Sequence, residues 1–411
     1  MILLIYDPDK ISHSIDVFRE NLVPCLAYRL QLLIWVAPQE RHSYIKSLLP
    51  TDVSAIILPL EFPKTHLLRW ISSLHRHLSF RLKLTTFKSF YRIRDLFTSL
   101  YLQYLTRLYN VDIVFCLAFM NQYVPAGSFR VSGFLHDLCP DLPESSLHNI
   151  DSWLHRCSSI FCVSKFTVSQ LNSRLYLGSL APVYVVPPSP RVSHHSYPIT
   201  ELGSDTTSSP SVSSSKNLRC FMPATLLERK GHNVLLQAAS LASESDLSLT
   251  IVFVGSSTEL LRGDIIPSSQ YEINLLELRR EALSLGVQVD AHGHVDDQSY
   301  AQLLESVDLV AFPTLYEGYG LPLSEAVMAG IPVIASDLPP IREQLELYDI
   351  ADRVILVKPN DATELARALL SFAHENLPKR VRPSTLSSNF KRWTWAMAAD
   401  KVYSTLLNSL A

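Results

Sequence analysis

The strongest constraint on the fold is a repeated alternation of short apolar runs with longer segments whose apolar residues recur at helical spacing. Runs this short and continuously apolar are typical of strands that are buried on both faces of a parallel sheet, with helices above and below. In the first half of the chain the predicted strands are Ile2–Tyr6, Leu30–Val36, Ser54–Leu58, Val111–Cys116, Arg130–Leu135, Ser158–Val163 and Val183–Val186.

A change in composition interrupts this alternation. Residues 189–216 hold ten serines, several prolines and no apolar period, which predicts a flexible surface linker. Beyond it the strand and helix pattern restarts, with predicted strands at Leu218–Met222, Leu249–Val254, Val287–Ala291, Leu309–Phe312 and Pro332–Ala335. Predicted helices cover 232–242, 271–285, 297–305, 322–329 and 361–374.

Two such blocks predict an α/β chain with two doubly wound domains and a cleft between them. The boundaries that we expect are 1–188 for the first domain, 189–216 for the linker and 217–385 for the second domain. Residues 386–411 contain a predicted last helix, about Asn389–Leu410, which we expect to cross back and pack on both domains.

The composition narrows the class of protein. Of the 411 residues 47% are hydrophobic and 18% are charged, and the formal net charge is −3, which argues against a disordered chain and against nucleic acid as a partner. The opening Met1–Tyr6 run is too short for a signal segment, and no apolar stretch reaches the length of a membrane span. Six scattered cysteines favour a reducing compartment, so we expect a cytoplasmic protein.

The segment from Phe312 to Ser336 carries the most chemical information. A predicted strand ends, a loop contains Gly318 and Gly320, and a helix begins near Pro322, where a proline costs no hydrogen bond. The free amides of such a helix start are a natural seat for a phosphate. Glu317 and Glu325 bracket this seat, and each carboxylate can accept paired hydrogen bonds from vicinal hydroxyls. A diphosphate with a hydroxyl-bearing group on each side is the chemical form of a nucleotide sugar, which is therefore the ligand that this segment predicts.

This Glu-x7-Glu segment, with Val295–Pro313 before it, resembles the retaining glycosyltransferases of family 4, which have the GT-B architecture of two Rossmann-like domains. The likeness is strong over about 217–375 and weak over the first 130 residues. It implies a nucleotide-sugar donor, a glycan or lipid-linked saccharide acceptor held by the first domain, and neither a metal nor a cofactor.

The family usually places an Arg-x4-Lys pair on the donor diphosphate. Lys230 stands at the lysine position, but the arginine position is Thr225, a departure shared by some mannosyltransferase-like members, and Arg229 is the nearest substitute. His136, in His136-Asp137-x-x-Pro140, resembles the family's histidine beside the sugar. The donor-binding residues that the resemblance implies are Thr225, Arg229, Lys230, Gly293, His294, Val295, Glu317, Gly318, Tyr319, Gly320, Leu321 and Glu325, and the catalytic ones are His136, Lys230 and Glu317. Ser164 is expected to cap the helix that follows it.

Two departures concern the first domain. Family members usually carry Gly-Gly in the loop after the first strand, whereas residues 9–15 here contain no glycine, which puts the geometry of the acceptor site in question. Asp7-Pro8-Asp9 has the form of a metal-binding Asp-x-Asp, but we interpret it as a turn.

Residues 64–108 combine nine Lys or Arg with a single acid, Asp95, and many aromatic residues. This composition is typical of a helix lying on an anionic membrane surface, and equally of a solvated helix face, so both readings stay open.

The sequence thus predicts a retaining glycosyltransferase, with mannose one candidate sugar. The alternatives are a non-catalytic GT-B relative and a nucleotide-sugar epimerase.

Overall fold

A computed structural model describes residues 1–7, 13–60, 96–119, 126–142, 144–174, 181–191, 218–245, 247–375 and 380–410. The chain divides into two compact units. The first comprises Met1–Pro188 with Trp395–Ala411, and the second comprises Ser189–Thr394.

The first unit is built on a seven-stranded parallel sheet with the order β3-β2-β1-β4-β5-β6-β7. Its strands are β1 Ile2–Tyr6, β2 Leu32–Ala37, β3 Ala55–Pro59, β4 Ile113–Cys116, β5 Arg130–Leu135, β6 Ser159–Cys162 and β7 Val183–Val185. Its helical segments are His13–Val17, Phe18–Leu22 (a π-helical turn), Val23–Ala27, Gln39–Arg41, His42–Leu48, 96–108, Glu144–Arg156, Lys165–Arg174 and Trp395–Asn408.

The second unit has six parallel strands in the order β10-β9-β8-β11-β12-β13. This is the strand order of the Rossmann fold, in which the first three strands extend the sheet towards one edge and the next three extend it towards the other. The strands are β8 Leu218–Pro223, β9 Leu249–Val254, β10 Gln288–Gly293, β11 Leu309–Phe312, β12 Val333–Ser336 and β13 Val354–Val357. The helices are His232–Ser243, Gln270–Ser284, Asp297–Glu305, Leu321–Met328, Pro339–Tyr348, Ala362–Glu375 and Ser387–Phe390, with 3₁₀ turns at Glu228–Lys230, Thr258–Arg262, Ala351–Arg353 and Pro383–Leu386.

Strand β8 shows why these runs are mostly apolar. Leu218, Cys220 and Met222 belong to the core on one face of the sheet, while Phe221 belongs to the core on the other. Because successive side chains point to opposite faces, a strand covered by helices on both sides is apolar wherever it is buried, and the one charged residue of β8, Arg219, is only half-buried. The predicted α/β class with two parallel sheets is confirmed.

Two elements of the second unit were not predicted. Helix Pro339–Tyr348 begins with two prolines, which look like a turn in the sequence, yet prolines in the first helical turn lose no hydrogen bond. Strand β13 is apolar throughout, but it is only four residues long and lies at the edge of the sheet.

The last helix also differs from its prediction. The expected helix of about Asn389–Leu410 is divided into Ser387–Phe390, in the second unit, and Trp395–Asn408, in the first. Within the first unit the Trp395 ring packs edge-on against Phe18, with ring centroids 5.3 Å apart, and Arg29 Nε donates to Asp400 Oδ1 at 2.5 Å.

Every helix among the described residues is too short or too polar to cross a lipid bilayer.

Candidate functional site

The loop that carries Lys230 is held against the end of strand β11. It forms the 3₁₀ turn Glu228–Lys230 and ends at Gly231, whose φ is +78°. A Cβ on Gly231 would lie 2.1 Å from the carbonyl oxygen of Pro313, so the close approach requires glycine. The amide of Leu315 donates to the carbonyl of Arg229 at 2.7 Å, which joins this loop to the one that contains Glu317.

Lys230 and Glu317 form an ion pair at this junction. Lys230 Nζ donates to Glu317 Oε1, and both side chains are largely buried. The Arg229 side chain points to the same loop, where its Nη1 donates to the Tyr316 carbonyl at 3.2 Å. Arg229 therefore supports the backbone beside Glu317, while Lys230 is the cation paired with its carboxylate. Thr225, at the family's arginine position, is exposed.

The helix Leu321–Met328 starts directly after this loop. Gly320 precedes it with a φ of +96°, Pro322 is in its first turn, and no side chain caps it. Gln344, which is fully buried, donates its amide to the carbonyls of Tyr319 and Gly320 at 2.7 and 3.2 Å. The loop carbonyls are thus turned towards Gln344. Within the first turn Pro322 has no N–H, and the Leu323 amide donates to the Gly320 carbonyl at 3.1 Å. The helix start has no side-chain cap, and the partial positive charge of a helix N-terminus is the property that a phosphate site needs.

Glu325 lies in the same helix and is paired with a residue that the sequence did not single out. Arg191 Nε is 3.6 Å from Glu325 Oε1, and Arg191 Nη1 donates to Asp297 Oδ1 at 3.3 Å. Burial raises the pKa of Glu325, and the Arg191 guanidinium and backbone amide oppose that rise, whereas Asp297 adds to it. Arg191 lies in the segment 189–216 that the sequence predicts to be a serine-rich linker, where no local pattern indicates a role for it.

The loop after β10 is fastened to its neighbours. The amide of Gly293 donates to Thr258 Oγ1 at 3.0 Å, and its carbonyl accepts from the amide of Gly255 at 2.8 Å. Gly255 in turn abuts the backbone of Ala224, because a Cβ there would lie 2.4 Å from the Ala224 oxygen. Both polar groups of Gly293 are thus engaged, whereas His294 is exposed and Val295 is half-buried.

The first unit contains His136, at the end of β5. Its Nε2 lies 2.6 Å from the Leu117 carbonyl, which makes Nε2–H the donor, and the Phe18 ring packs edge-on at 4.6 Å between centroids. Burial lowers the pKa of His136, so the imidazole is neutral at pH 7. As predicted, Ser164 Oγ accepts from the amide of Thr167 at 2.9 Å and caps the helix Lys165–Arg174.

Asp7, the first acid of Asp-x-Asp, follows β1 and is fully engaged in the core. It forms a buried ion pair with Arg19, and Trp35 Nε1 donates to its Oδ2 at 3.2 Å. Asp9 and most of the loop without glycine lie outside the described residues. Within the described part of the chain, no three His, Cys, Asp or Glu side chains are grouped so as to hold a metal ion.

Comparison with known proteins assigns the second half of the chain to a family. A match to the family described as "Glycosyl transferases group 1" covers residues 205–387.

Phosphatidyl-myo-inositol mannosyltransferase of Mycobacterium leprae is 28% identical over 195 residues, 43% of this chain and 51% of that protein. The Mycolicibacterium smegmatis protein of the same name is 32% identical over 127 residues, 31% of this chain and 32% of that protein. O-antigen chain mannosyltransferase B of Escherichia coli is 24% identical over 103 residues, 25% of this chain and 26% of that protein. The matches span about half or less of the length of these curated relatives.

Solved structures extend the likeness in fold over the whole chain. HepE of Anabaena, in complex with UDP-glucose, superposes with a TM-score of 0.63 at 15% identity over 99% of each chain. Sucrose-phosphate synthase of Thermosynechococcus elongatus does so with a TM-score of 0.60 at 16% identity, again over 99% of each chain. At such low identity these neighbours support the GT-B fold and nothing finer. The family match over residues 205–387 and these folds agree with the resemblance to GT-B glycosyltransferases that the segment around Glu317 and Glu325 predicted.

Proposed function

We propose that this protein transfers a sugar, with mannose the first candidate, from a nucleotide-sugar donor to a glycan or lipid-linked saccharide, with retention of the anomeric configuration. The observation that carries the proposal is the Lys230–Glu317 ion pair beside the uncapped start of helix Leu321–Met328. The relatives named mannosyltransferases support the choice of sugar.

In this proposal the chain's own groups stabilise the departing nucleoside diphosphate. Lys230 and the N-terminus of helix Leu321–Met328 supply positive potential where charge grows in the transition state. Glu317 and Glu325 accept hydrogen bonds from sugar and ribose hydroxyls. The sequence shows no obvious carboxylate nucleophile on the far face of the sugar, and the family resemblance implies a front-side reaction in which the leaving phosphate acts as base.

The test is a donor panel on the purified full chain. GDP-mannose, UDP-glucose and UDP-N-acetylglucosamine are each supplied with candidate acceptors, and release of nucleoside diphosphate and product anomer are measured. We expect one donor, GDP-mannose first, to be consumed and to give the retained anomer. If no donor raises the melting temperature and none releases nucleoside diphosphate, the result would argue for a non-catalytic relative.

We also propose that no metal is needed, since Lys230 and the N-terminus of helix Leu321–Met328 would offset the diphosphate charge. EDTA should leave turnover unchanged in buffers free of added metal. Loss of turnover with EDTA, and its recovery with Mg²⁺ or Mn²⁺, would contradict this proposal.

For the acceptor we propose a saccharide carried on a lipid, reached from the cytoplasmic face of a membrane. The helix at 96–108 exposes Leu96, Leu100, Tyr104 and Leu108 in a row, one turn apart, each more than half exposed. The basic residues that precede it in the sequence, at 64–95, lie outside the described residues. The relatives' names, which refer to phosphatidyl-inositol and to O-antigen chains, favour a lipid-linked acceptor and a place in polysaccharide or lipopolysaccharide synthesis.

Vesicle sedimentation tests this contact. The full chain should bind vesicles that contain anionic lipid, less well as salt increases, and Leu100→Ser with Tyr104→Ser should weaken binding. The matched control is Leu241→Ser, because Leu241 is also an exposed leucine but lies in a helix of the second unit. Equal partitioning onto neutral and anionic vesicles would rule out the electrostatic part of the contact.

A further inference from the structure

Each carboxylate of the Glu317 and Glu325 pair has its own cation. Glu317 is paired with Lys230, and Glu325 with Arg191. The first cation was expected for the donor diphosphate. The second comes from the segment that enters the second unit.

Arg191 is held in place by its neighbours along the chain. Ser189 is buried, and its Oγ donates to the carbonyl of Trp393 at 3.3 Å. Two residues later, the Arg191 guanidinium lies between Glu325, in helix Leu321–Met328, and Asp297, at the start of helix Asp297–Glu305. Arg191 is about one-third exposed, whereas the Glu325 side chain is 14% exposed. The arginine thus covers a carboxylate that is mostly removed from water.

Such a carboxylate needs a partner if it is to remain charged. Burial of an ionised carboxyl group is costly unless a cation and hydrogen bonds compensate for the lost water. Among the described residues, the charged side chains that act on Glu325 are Arg191, which favours its ionised form, and Asp297, which opposes it. An ionised Glu325 can accept hydrogen bonds from a diol at both of its oxygens. A protonated Glu325 has less capacity to accept hydrogen bonds, and its carboxyl group is free to rotate.

We propose that Arg191 is a positioning residue of the donor site, which holds the Glu325 carboxylate oriented and charged for the vicinal hydroxyls of the donor's ribose. The proposal rests on the proposed function, because it assumes that a nucleotide occupies this site. It makes the segment at 189–191, which the sequence describes as the start of a flexible linker, a structural part of donor binding. Arg191 acts through Glu325 and is not itself a contact of the donor.

A double-mutant cycle on the full chain tests the proposal. GDP and UDP are titrated calorimetrically into the wild type, Arg191→Gln, Glu325→Gln and the double variant. We expect Arg191→Gln to weaken the better nucleotide about ten- to a hundredfold, the range for one charge-assisted contact, and Arg191→Lys to recover part of this. In the Glu325→Gln background, Arg191→Gln should add no further loss. Arg342→Gln, which removes an arginine paired with Asp337 on the surface of the same unit, is the matched control and should bind as the wild type does.

The pH dependence of nucleotide affinity gives a second test, because the loss of an ion pair with a purely structural role would not shift it. Nucleotide affinity should fall on the acid side as Glu325 becomes protonated. In Arg191→Gln the pKa of Glu325 rises further, so the same fall should occur at higher pH, and Glu325→Gln should abolish it.

The outcomes separate this proposal from the proposed function. A wild type that binds no nucleotide overturns both. If Arg191→Gln leaves nucleotide affinity unchanged, or if affinity falls at the same acid pH as in the wild type, only the role of Arg191 is overturned. Full additivity with Glu325→Gln would also overturn it, because Arg191 would then contact the donor directly.

Discussion

Lys230 is the residue on which the proposed transfer depends most. When the glycosidic bond breaks, negative charge grows on the diphosphate, and only groups aimed at that charge lower the barrier. With Thr225 at the family's arginine position and Arg229 bonded to the Tyr316 carbonyl, Lys230 has less help than in a relative that keeps both cations.

We therefore predict that Lys230→Ala lowers kcat by about 10²–10³, the loss typical of removing one preorganised electrostatic contact. Thr225→Arg should fold normally, because Thr225 is exposed, and should retain or increase turnover. Steady-state kinetics with the active donor measure both effects, with Arg342→Ala as a surface control. Near-normal turnover in Lys230→Ala would mean that another cation serves the diphosphate.

His232 makes a separate prediction about pH. It follows Gly231, is fully buried against Phe253, and burial lowers its pKa to about 4. In the unfolded state the pKa of a histidine is about 6.5, so the unfolded chain takes up a proton at a higher pH than the folded chain does. The free energy of unfolding that neutral His232 contributes is therefore present above about pH 6.5 and is lost as the pH falls.

Between pH 7 and pH 5 the free energy of unfolding should therefore fall by about 2 kcal/mol through His232 alone. Denaturant unfolding at the two pH values measures the fall. His232→Leu cannot be protonated, so it should lack this part of the pH dependence. An identical slope in the variant would show that other groups cause the acid sensitivity.

Among the elements, the turn at Glu228–Lys230 and the start of helix Leu321–Met328 both depend on a glycine for their backbone geometry. Gly231 lets one loop approach the Pro313 carbonyl, and Gly320 turns the chain into the helix. The positions of Lys230 and Glu317 therefore depend on backbone geometry that a Cβ would disturb.

Gly231→Ala should combine left-handed strain of about 1–2 kcal/mol with a clash against a backbone oxygen, and should displace Lys230. The matched control is Gly286→Ala, whose φ is +87° but whose Cβ would meet no atom within 4 Å. Both variants should lower the melting temperature, but only Gly231→Ala should lose most of its turnover. Equal turnover in the two would show that the Lys230 loop tolerates displacement.

At the scale of the whole molecule, the chain completes its first unit with its last helix. Trp395–Asn408 buries Trp395, Ala398, Ala399, Val402 and Leu406 in that unit. The first unit is therefore incomplete until the second has been synthesised.

A chain that ends at Thr394 should have a first unit destabilised by more than about 3 kcal/mol, since each large buried apolar side chain contributes about 1.5–3 kcal/mol. Nucleotide binding by the second unit should persist. Calorimetric unfolding with and without nucleotide separates the two effects, and a chain ending at Asn408 is the control. Loss of nucleotide binding with an unaltered first unit would contradict this division.

The sequence alone determined the α/β class, most strands and the Glu317 and Glu325 segment, because burial on both faces of a sheet and a helix start leave local patterns. It did not reveal that Lys230 would pair with Glu317, 87 positions away, or that Arg191 would reach Glu325. Nor did it divide the last helix at Trp395. These pairings depend on strand order and on the path of each loop, which are set by the packing of distant segments and leave no period in the chain. Only the tertiary structure could therefore decide which cation each carboxylate received.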